Sequence, residues 1–245
     1  DEPIEQIQYT EDKTDYCWYT TELNITGKAR GPGVLKFAGT GDIVYVYLDG
    51  RLSGAPKLPL LEERGEIDGE NFTQSFKLDL PAGKHRLAVL CAAVGLIKGE
   101  WMIGLKNMVE ERKGLWGKVY WQDEEIKAEW QIYPGLLGEK YQVYDFAGAL
   151  VNWQSEWQQA KGKPLTWWKI TFNKLPDNIP LAIDLAGMNK GLIWLNGHCA
   201  GRYWLIKSPK SSAFGGISSP EPINDKSVPA ELPVLVETGY GEPTQ

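Results

Sequence analysis

The sequence predicts an all-β chain made of two β-sandwich modules in tandem, with few and short helices. Most segments alternate apolar and polar residues with a period of two, or form short β-branched runs between Gly and Pro. Turn signals recur at the spacing of roughly 8 to 12 residues that sandwiches and barrels show. A unit of strand, Asx-Gly turn and strand occurs twice, and 245 residues suffice for two modules of ordinary size.

The individual elements follow from these patterns. Strands are predicted where the alternation is clearest, at residues 43–48, 72–80, 85–92 and 165–172. Helix candidates are restricted to residues 150–160, which are rich in Trp and Gln, and to a turn at 230–232. Residues 205–227 lose the apolar periodicity and predict a long surface loop. The strand pattern resumes at residues 234–236, which we expect to close the second sandwich.

The internal repeat gives the domain organisation. Residues 16–23 resemble residues 165–172, and each copy is followed by an apolar strand that ends in Asp49-Gly50 or Asn196-Gly197. Such dipeptides predict type I′ hairpin turns, because both central residues need a positive φ. Gly54 and Gly201, four positions after each turn glycine, are expected at a bulge or a tight exit from the second strand. The modules are therefore predicted at residues 1–122 and 123–245.

Composition and charge exclude several classes of partner. The formal net charge is −6 and basic residues form no cluster, so we expect neither nucleic acid nor membrane as a partner. Apolar runs stay short of the roughly 18 to 20 residues of a membrane span, and no N-terminal signal segment is recognisable. The three cysteines, Cys17, Cys91 and Cys199, have strand-like flanks and are predicted to be small core residues. No metal site and no cofactor are expected, because ligand spacings are missing.

Aromatic residues supply the candidate binding surface. Trp and Tyr occur 11 times each, against 6 Phe, and a flat ring can stack on the C–H side of a sugar. Core or interface packing is the alternative role for every one of these rings. For Arg202, the one charged candidate, the alternative is a structural role. The histidines His85 and His198 are isolated from any plausible nucleophile, so a hydrolytic triad is not predicted. The carbohydrate-binding candidates are Trp153 and Trp157 (spaced to share one helix face), Trp116, Trp121, Arg202 and Trp204.

Several ordered motifs resemble one known family. Residues 194–204, WLNGHCAGRYW, resemble the W-x-N-G-x-x-x-G-R-Y-W segment in the C-terminal β-domains of family 35 glycoside hydrolases, the β-galactosidases, of plant or bacterial type. Further segments resemble other motifs of the same domains in the same order. They are TDYCWYTT at 14–21, YVYLDGRLSG at 45–54, AAVGL at 92–96, KPLTWWK at 163–169 and VLVETG at 234–239.

The resemblance implies a fold and a limit on function. It implies two jelly-roll, galactose-binding-like sandwiches. Members of the family hydrolyse terminal β-galactosides with two carboxylates carried by an N-terminal (β/α)8 barrel. This sequence has no βαβ alternation that would form such a barrel, so the resemblance places no catalytic residue on it. The implied partners are a galactoside-containing glycan and the barrel of the same protein, and the implied location is secreted or extracellular.

Three functional hypotheses remain open from the sequence. The first is the non-catalytic accessory region of a β-galactosidase-like enzyme, which would leave an apolar, Trp-rich face exposed in the isolated chain. The second is a free-standing, lectin-like pair of carbohydrate-binding modules. The third is a structural or oligomerisation module.

Overall fold

The computed structural model describes residues 2–11, 13–26, 32–41, 43–55, 73–93, 112–145, 151–156, 158, 163–173, 182–186, 188–205 and 235–237. The chain divides into two compact units, Asp1–Leu136 and Leu137–Gln245, called here the first and second unit. Within the described residues, strands in antiparallel sheets dominate and only two short α-helices occur. The all-β prediction is confirmed, while the tandem arrangement of two sandwiches stays a prediction.

The described residues of the first unit form two antiparallel sheets. One has five strands in the order β4-β3-β6-β1-β9, and the other has four in the order β5-β2-β7-β8. The elements are α1 (Gln6–Thr10), β1 (Tyr16–Ile25), β2 (Gly33–Gly41), β3 (Ile43–Leu48), β4 (Arg51–Gly54), β5 (Gln74–Leu78), β6 (Gly83–Ala92), β7 (Gly114–Trp121), β8 (Glu124–Glu125) and β9 (Gln131–Pro134).

The core of the first unit is formed by alternate residues of both sheets. On β1 these are Cys17, Tyr19 and Leu23, and on β2 they are Leu35 and Phe37, all nearly inaccessible to solvent. Successive side chains of a strand point to opposite faces, so the period-two pattern of the sequence places them together. Burying one large apolar side chain stabilises a fold by about 1.5–3 kcal/mol, which makes this cluster the main source of the unit's stability.

Both predicted hairpin turns are confirmed. Backbone φ angles are 48° and 78° at Asp49-Gly50 and 49° and 83° at Asn196-Gly197, as a type I′ turn requires. The predicted bulges are present as well, because the strand register shifts by one residue just before Gly54 and just before Gly201. The two copies of the repeat therefore share a local structure.

The polar stretch at residues 122–125, where a module boundary is predicted, contains a hairpin turn. Gln122 and Asp123 have φ angles of 49° and 67° and connect β7 to β8. The chain then continues within the first unit, where β9 pairs with β1 in the five-stranded sheet. The division into compact units accordingly falls after Leu136. Polar residues at a tight turn and polar residues at a linker give the same sequence signal.

The second unit is described in shorter pieces. Its elements are α2 (Leu137–Lys140), β10 (Trp167–Lys169), β11 (Lys190–Leu195), β12 (His198–Trp204) and β13 (Leu235–Glu237). Strands β11 and β12 pair with each other, and β10 pairs with β13, so the strand predicted near residues 234–236 is present.

Two expectations for the second unit are corrected. The strand predicted at 165–172 is only three residues long, because Leu165 has a φ of 57° and pairing ends at Lys169. The helix predicted at 150–160 is wrong for residues 151–156, which have no helical hydrogen bonding. The rest of the predicted surface loop after Leu205, and the turn at 230–232, lie outside the described residues.

Candidate functional site

The five-stranded sheet carries aromatic residues on the side that faces away from the core. Its strands contribute large rings at positions that alternate with the core residues. None of these rings belongs to the core cluster. We call this surface the aromatic face, and it consists of Tyr16, Trp18, Tyr45, Tyr47 and Tyr133.

The rings of the aromatic face cover the strand between them. Trp18 on β1 and Tyr47 on β3 lie 5.4 Å apart between ring centroids, although β6 separates their strands. The two rings therefore lean towards each other over β6, which explains why Ala88 and Leu90 on that strand are buried. Tyr133 is 38% exposed, and Trp18 is half-buried. Tyr45 is half-buried, whereas Tyr16 and Tyr47 are buried, so the accessible part of the face lies at Trp18, Tyr45 and Tyr133.

Two predicted binding residues lie in the first unit, and they have different environments. Trp116 is only 7% exposed, and its indole fills the space above Gly39 and Gly41. A Cβ on Gly39 would lie 2.3 Å from the indole nitrogen, so the glycine is needed for this packing. Most of the Trp116 ring surface is therefore buried in packing contacts within the first unit.

Trp121 is half-buried and lies beside an open cleft. Its ring packs against Gly33, where an added Cβ would meet the indole at 2.3 Å. Gly33 also lines a cleft of about 310 Å³, together with the polar side chains of Lys36, Gln122 and Asp123. These polar groups suit sugar hydroxyls. The Trp121 ring does not line the cleft, because Trp121 pairs with Leu35 and packs against the core, whereas Lys36 lies on the other side of the sheet over the Tyr120 ring.

The other predicted residues lie in the second unit. Trp153 is half-buried, and the Lys169 Nζ lies 5.2 Å from its ring centroid in a cation–π contact. Arg202 is exposed on β12, opposite Leu192. Trp157 lies outside the described residues, as does the side chain of Trp204, whose backbone ends β12. Because residues 151–156 are not helical, the predicted alignment of Trp153 with Trp157 on a helix face does not follow.

One aromatic contact of the second unit was not predicted from the sequence. Tyr144 stacks on Trp194 with ring centroids 3.8 Å apart and ring planes within 4° of parallel. Trp194 is the first residue of the family-like hairpin motif, and its side chain is half-buried. Tyr144 lies outside any strand or hairpin pattern, so no sequence signal identified it as a partner.

The described carboxylates with shifted pKa values do not have the properties of a glycosidase acid. A hydrogen bond from His85 lowers the pKa of Asp49, and one from Lys118 lowers the pKa of Glu125. A glycosidase acid needs a raised carboxyl pKa. Over the described parts of the chain, no group of three or more His, Cys, Asp or Glu is placed to hold a metal ion. The helices found there are too short and polar to cross a membrane.

The fold defines the chain as an all-β protein built on antiparallel sheets. Comparison with known families is more specific. Residues 165–232 match the family described as the galactose-binding domain of β-galactosidase.

Relatives extend the match to most of the chain. It is 31% identical over 216 residues to Beta-galactosidase 3 of Oryza sativa subsp. japonica and 29% identical over 222 residues to Probable beta-galactosidase 2 of Dictyostelium discoideum. Each match covers 85% of this chain but only 24% and 27% of the respective relative, so the chain spans about a quarter of their length. The predicted resemblance to the β-domains of β-galactosidases is therefore confirmed.

Proposed function

We propose that this chain is the non-catalytic accessory region of a β-galactosidase-like glycoside hydrolase, and that its aromatic face packs against the catalytic barrel of the same polypeptide. This proposal rests on the share of the chain, and the share of each relative, that the two matches cover. Similarity to two β-galactosidases runs through 85% of the chain, yet accounts for only about a quarter of each relative. The remaining three quarters of such a relative leave ample length for a catalytic barrel.

The aromatic face supports the proposed contact. The outer side of an antiparallel sheet usually carries polar residues, because it meets water. Here the rows across β9, β1, β6 and β3 place Tyr133, Trp18, Leu90 and Tyr45 side by side. Interfaces are enriched in Tyr and Trp, and the accessible rings of this face are Trp18, Tyr45 and Tyr133. The face thus has the composition of a surface that another domain covers.

The first expected result concerns activity and stability together. The chain alone should not hydrolyse a chromogenic β-galactoside. In the polypeptide encoded by the full reading frame, Trp18→Ser with Tyr133→Ser should lower the temperature at which β-galactosidase activity is lost. Each kcal/mol of lost packing should lower it by about 2–4 °C.

Asn24→Ser is the matched control for this experiment. Asn24 lies on the same strand and the same side as Trp18 but is exposed beyond the aromatic rows, so its replacement should leave the inactivation temperature unchanged. Turnover by the chain alone, a reading frame without a barrel, or equal inactivation temperatures for all three proteins would each contradict the proposal.

A second candidate function is binding of a galactoside-containing glycan, as an accessory or a free-standing, lectin-like module of a secreted protein. Two observations favour it. The family matched at residues 165–232 is described as galactose-binding. In the first unit, Lys36, Gln122 and Asp123 line a cleft with polar groups that suit sugar hydroxyls.

Affinity electrophoresis on galactan, xyloglucan and cellulose tests this second function. We expect galactan to retard the chain and Trp121→Ala or Trp153→Ala to weaken the apparent affinity roughly fivefold, since loss of one aromatic contact costs on the order of 1 kcal/mol. Tyr141→Ala is the control, because Tyr141 is 65% exposed and outside both candidate surfaces. No retardation on any glycan, with a stable dimer in sedimentation, would instead favour an oligomerisation module.

A further inference from the structure

Two cysteines face each other across the centre of the five-stranded sheet. Cys17 on β1 is paired in register with Cys91 on β6. Both side chains belong to the core cluster of the first unit, and both are 0% exposed. In this structure both residues are thiols.

The strand pairing gives the spacing of these two residues. The backbone N–H of Ala93 donates to the carbonyl oxygen of Asp15 at 2.7 Å, so Asp15 and Ala93 form a hydrogen-bonded pair. Hydrogen-bonded pairs recur every second residue in an antiparallel ladder, which makes Cys17 and Cys91 the next such pair, with Cα atoms about 5.5 Å apart. That separation lies within the roughly 4.4–6.8 Å that disulfides span. The Cβ atoms of a hydrogen-bonded pair are about 5.5 Å apart, so they have to approach to roughly 3.5–4.5 Å as the bond forms. Both side chains also point to the same face of the sheet.

Burial controls when these thiols can react. It raises the pKa of the Cys17 thiol to about 12, so only about one molecule in 10⁵ carries the thiolate at pH 7. The thiolate is the reactive form in disulfide exchange, and a reagent has no access to either sulfur in the closed core. Cys199, by contrast, is exposed on β12 of the second unit.

We propose that Cys17 and Cys91 form a cross-strand disulfide when the chain folds in an oxidising compartment, and that closure of the core then preserves the redox state present at folding. The reaction is an exchange with a small-molecule disulfide such as oxidised glutathione. The two cysteine thiols give up two electrons and two protons, one S–S bond forms between their sulfurs, and the reagent is released as two thiols. The inference does not depend on the proposed enzyme context.

Refolding and oxidation in opposite orders test this proposal in a Cys199→Ser background. One sample is refolded from denaturant in a mixture of oxidised and reduced glutathione. A second is refolded with reductant, freed of it, and only then given oxidised glutathione. Each is unfolded, alkylated, digested and mapped by mass spectrometry. We expect a Cys17–Cys91 cross-linked peptide in the first sample and alkylated Cys17 and Cys91 in the second.

The readouts separate the two parts of the proposal. Absence of the Cys17–Cys91 peptide from the sample refolded with oxidised glutathione would overturn the disulfide. Its rapid appearance in the sample oxidised after folding would overturn the protection by the core. The oxidised chain should also unfold at a higher denaturant concentration than the reduced one, because the bond closes a long loop in the unfolded state. Cys91→Ala should remove that difference.

Discussion

Replacing Gly114 by Ala is expected to lower the free energy of unfolding of the first unit by about 3 kcal/mol or more. Gly114 has a φ of +76°, where an L side chain is strained by about 1–3 kcal/mol. Its added Cβ would also lie 2.4 Å from the Tyr19 Oη and 2.7 Å from the Gln6 Cβ. Overpacking of this kind costs a further 1–3 kcal/mol, roughly.

The two neighbours of Gly114 have little freedom to move. Tyr19 is inaccessible to solvent and its hydroxyl donates to the carbonyl oxygen of Ile4 at 3.0 Å. Burial also raises the pKa of Tyr19 far above the ordinary value, so the hydroxyl stays a donor. Gln6 is buried too, and its backbone N–H donates to the carbonyl oxygen of Lys113 at 2.9 Å. An added methyl group would therefore have to displace the segment at residues 4–6.

That N-terminal segment is anchored by one carboxylate. Glu5 caps α1 by accepting from the backbone N–H groups of Ile7 at 2.9 Å and Gln8 at 2.8 Å. The same side chain accepts from the N–H of Lys113 at 2.6 Å. Displacement at Gly114 would thus weaken both the helix cap and its connection to β7, and we expect the two to be lost together.

Gly117→Ala is the matched control, because Gly117 lies on the same strand with a φ of +68° and has no atom within 4 Å of its added Cβ. It shares the backbone strain but not the clash. Denaturant unfolding, combined with hydrogen exchange of the peptide at residues 4–11, measures both effects. Equal losses for the two variants would mean that the packing against Tyr19 and Gln6 contributes nothing.

The sequence predicted the local geometry of the chain better than its long-range contacts. The turns at Asp49-Gly50 and Asn196-Gly197 were predictable because the requirement for positive φ acts within two residues. The Glu5 anchor was not, since its partner Lys113 is 108 residues away and α1 is too short to show a helical period. The polar residues near Gln122 are a related case, since polarity alone does not separate a hairpin turn from a linker.

In the candidate site, too, the contacts between strands could not be predicted from the sequence. Trp content predicted an aromatic surface, but it did not predict which rings lie outside. Trp116 is held inside by Gly39 and Gly41, which belong to a partner strand. Trp18 and Tyr47 meet on the side of the sheet away from the core because their strands flank β6, and Trp18 is half-buried while Tyr47 is buried. Strand order is a property of the whole sheet. Sequence periodicity specifies the side of a strand, whereas strand neighbours decide what covers that side.

Replacing Asp49 by Ala is expected to destabilise the first unit by about 2 kcal/mol, because Asp49 combines a positive-φ turn position with a side-chain hydrogen-bond network. One carboxylate oxygen accepts from the backbone N–H of Arg86 and the other binds the Nδ1 of His85, both at 2.8 Å. The Nε2 of His85 lies 2.9 Å from the carbonyl oxygen of Pro81. Both ring nitrogens therefore face acceptors, which favours the protonated imidazolium.

This network makes the stability of the first unit depend on pH. The hydrogen bond to Asp49 raises the pKa of His85 above its ordinary value of about 6.5. The resulting stabilisation is complete below about pH 6.5 and is lost as the pH rises through the raised pKa. The pKa of Asp49 is lowered chiefly by His85, so its stabilisation is present above about pH 4 and is lost as the pH falls through the lowered pKa. Because the Asp49 side chain is 54% exposed, we expect the ion pair itself to contribute less than about 1 kcal/mol.

Asp49→Asn separates the turn from the ion pair, and the chain already contains its counterpart, since Asn196 occupies the equivalent position of the second hairpin with a φ of 49°. An Asn keeps the turn conformation and one acceptor for the Arg86 N–H, but it cannot pair with the imidazolium. We therefore expect Asp49→Asn to retain most of the stability and to flatten its decline above pH 6.5, as His85→Gln should also do. Denaturant unfolding between pH 5 and 8, with hydrogen exchange of residues 83–93, measures this. If Asp49→Asn and Asp49→Ala are equally destabilising at every pH, the charge of Asp49, rather than its turn conformation, stabilises this hairpin. The two copies of the repeat would then resemble each other only in backbone conformation.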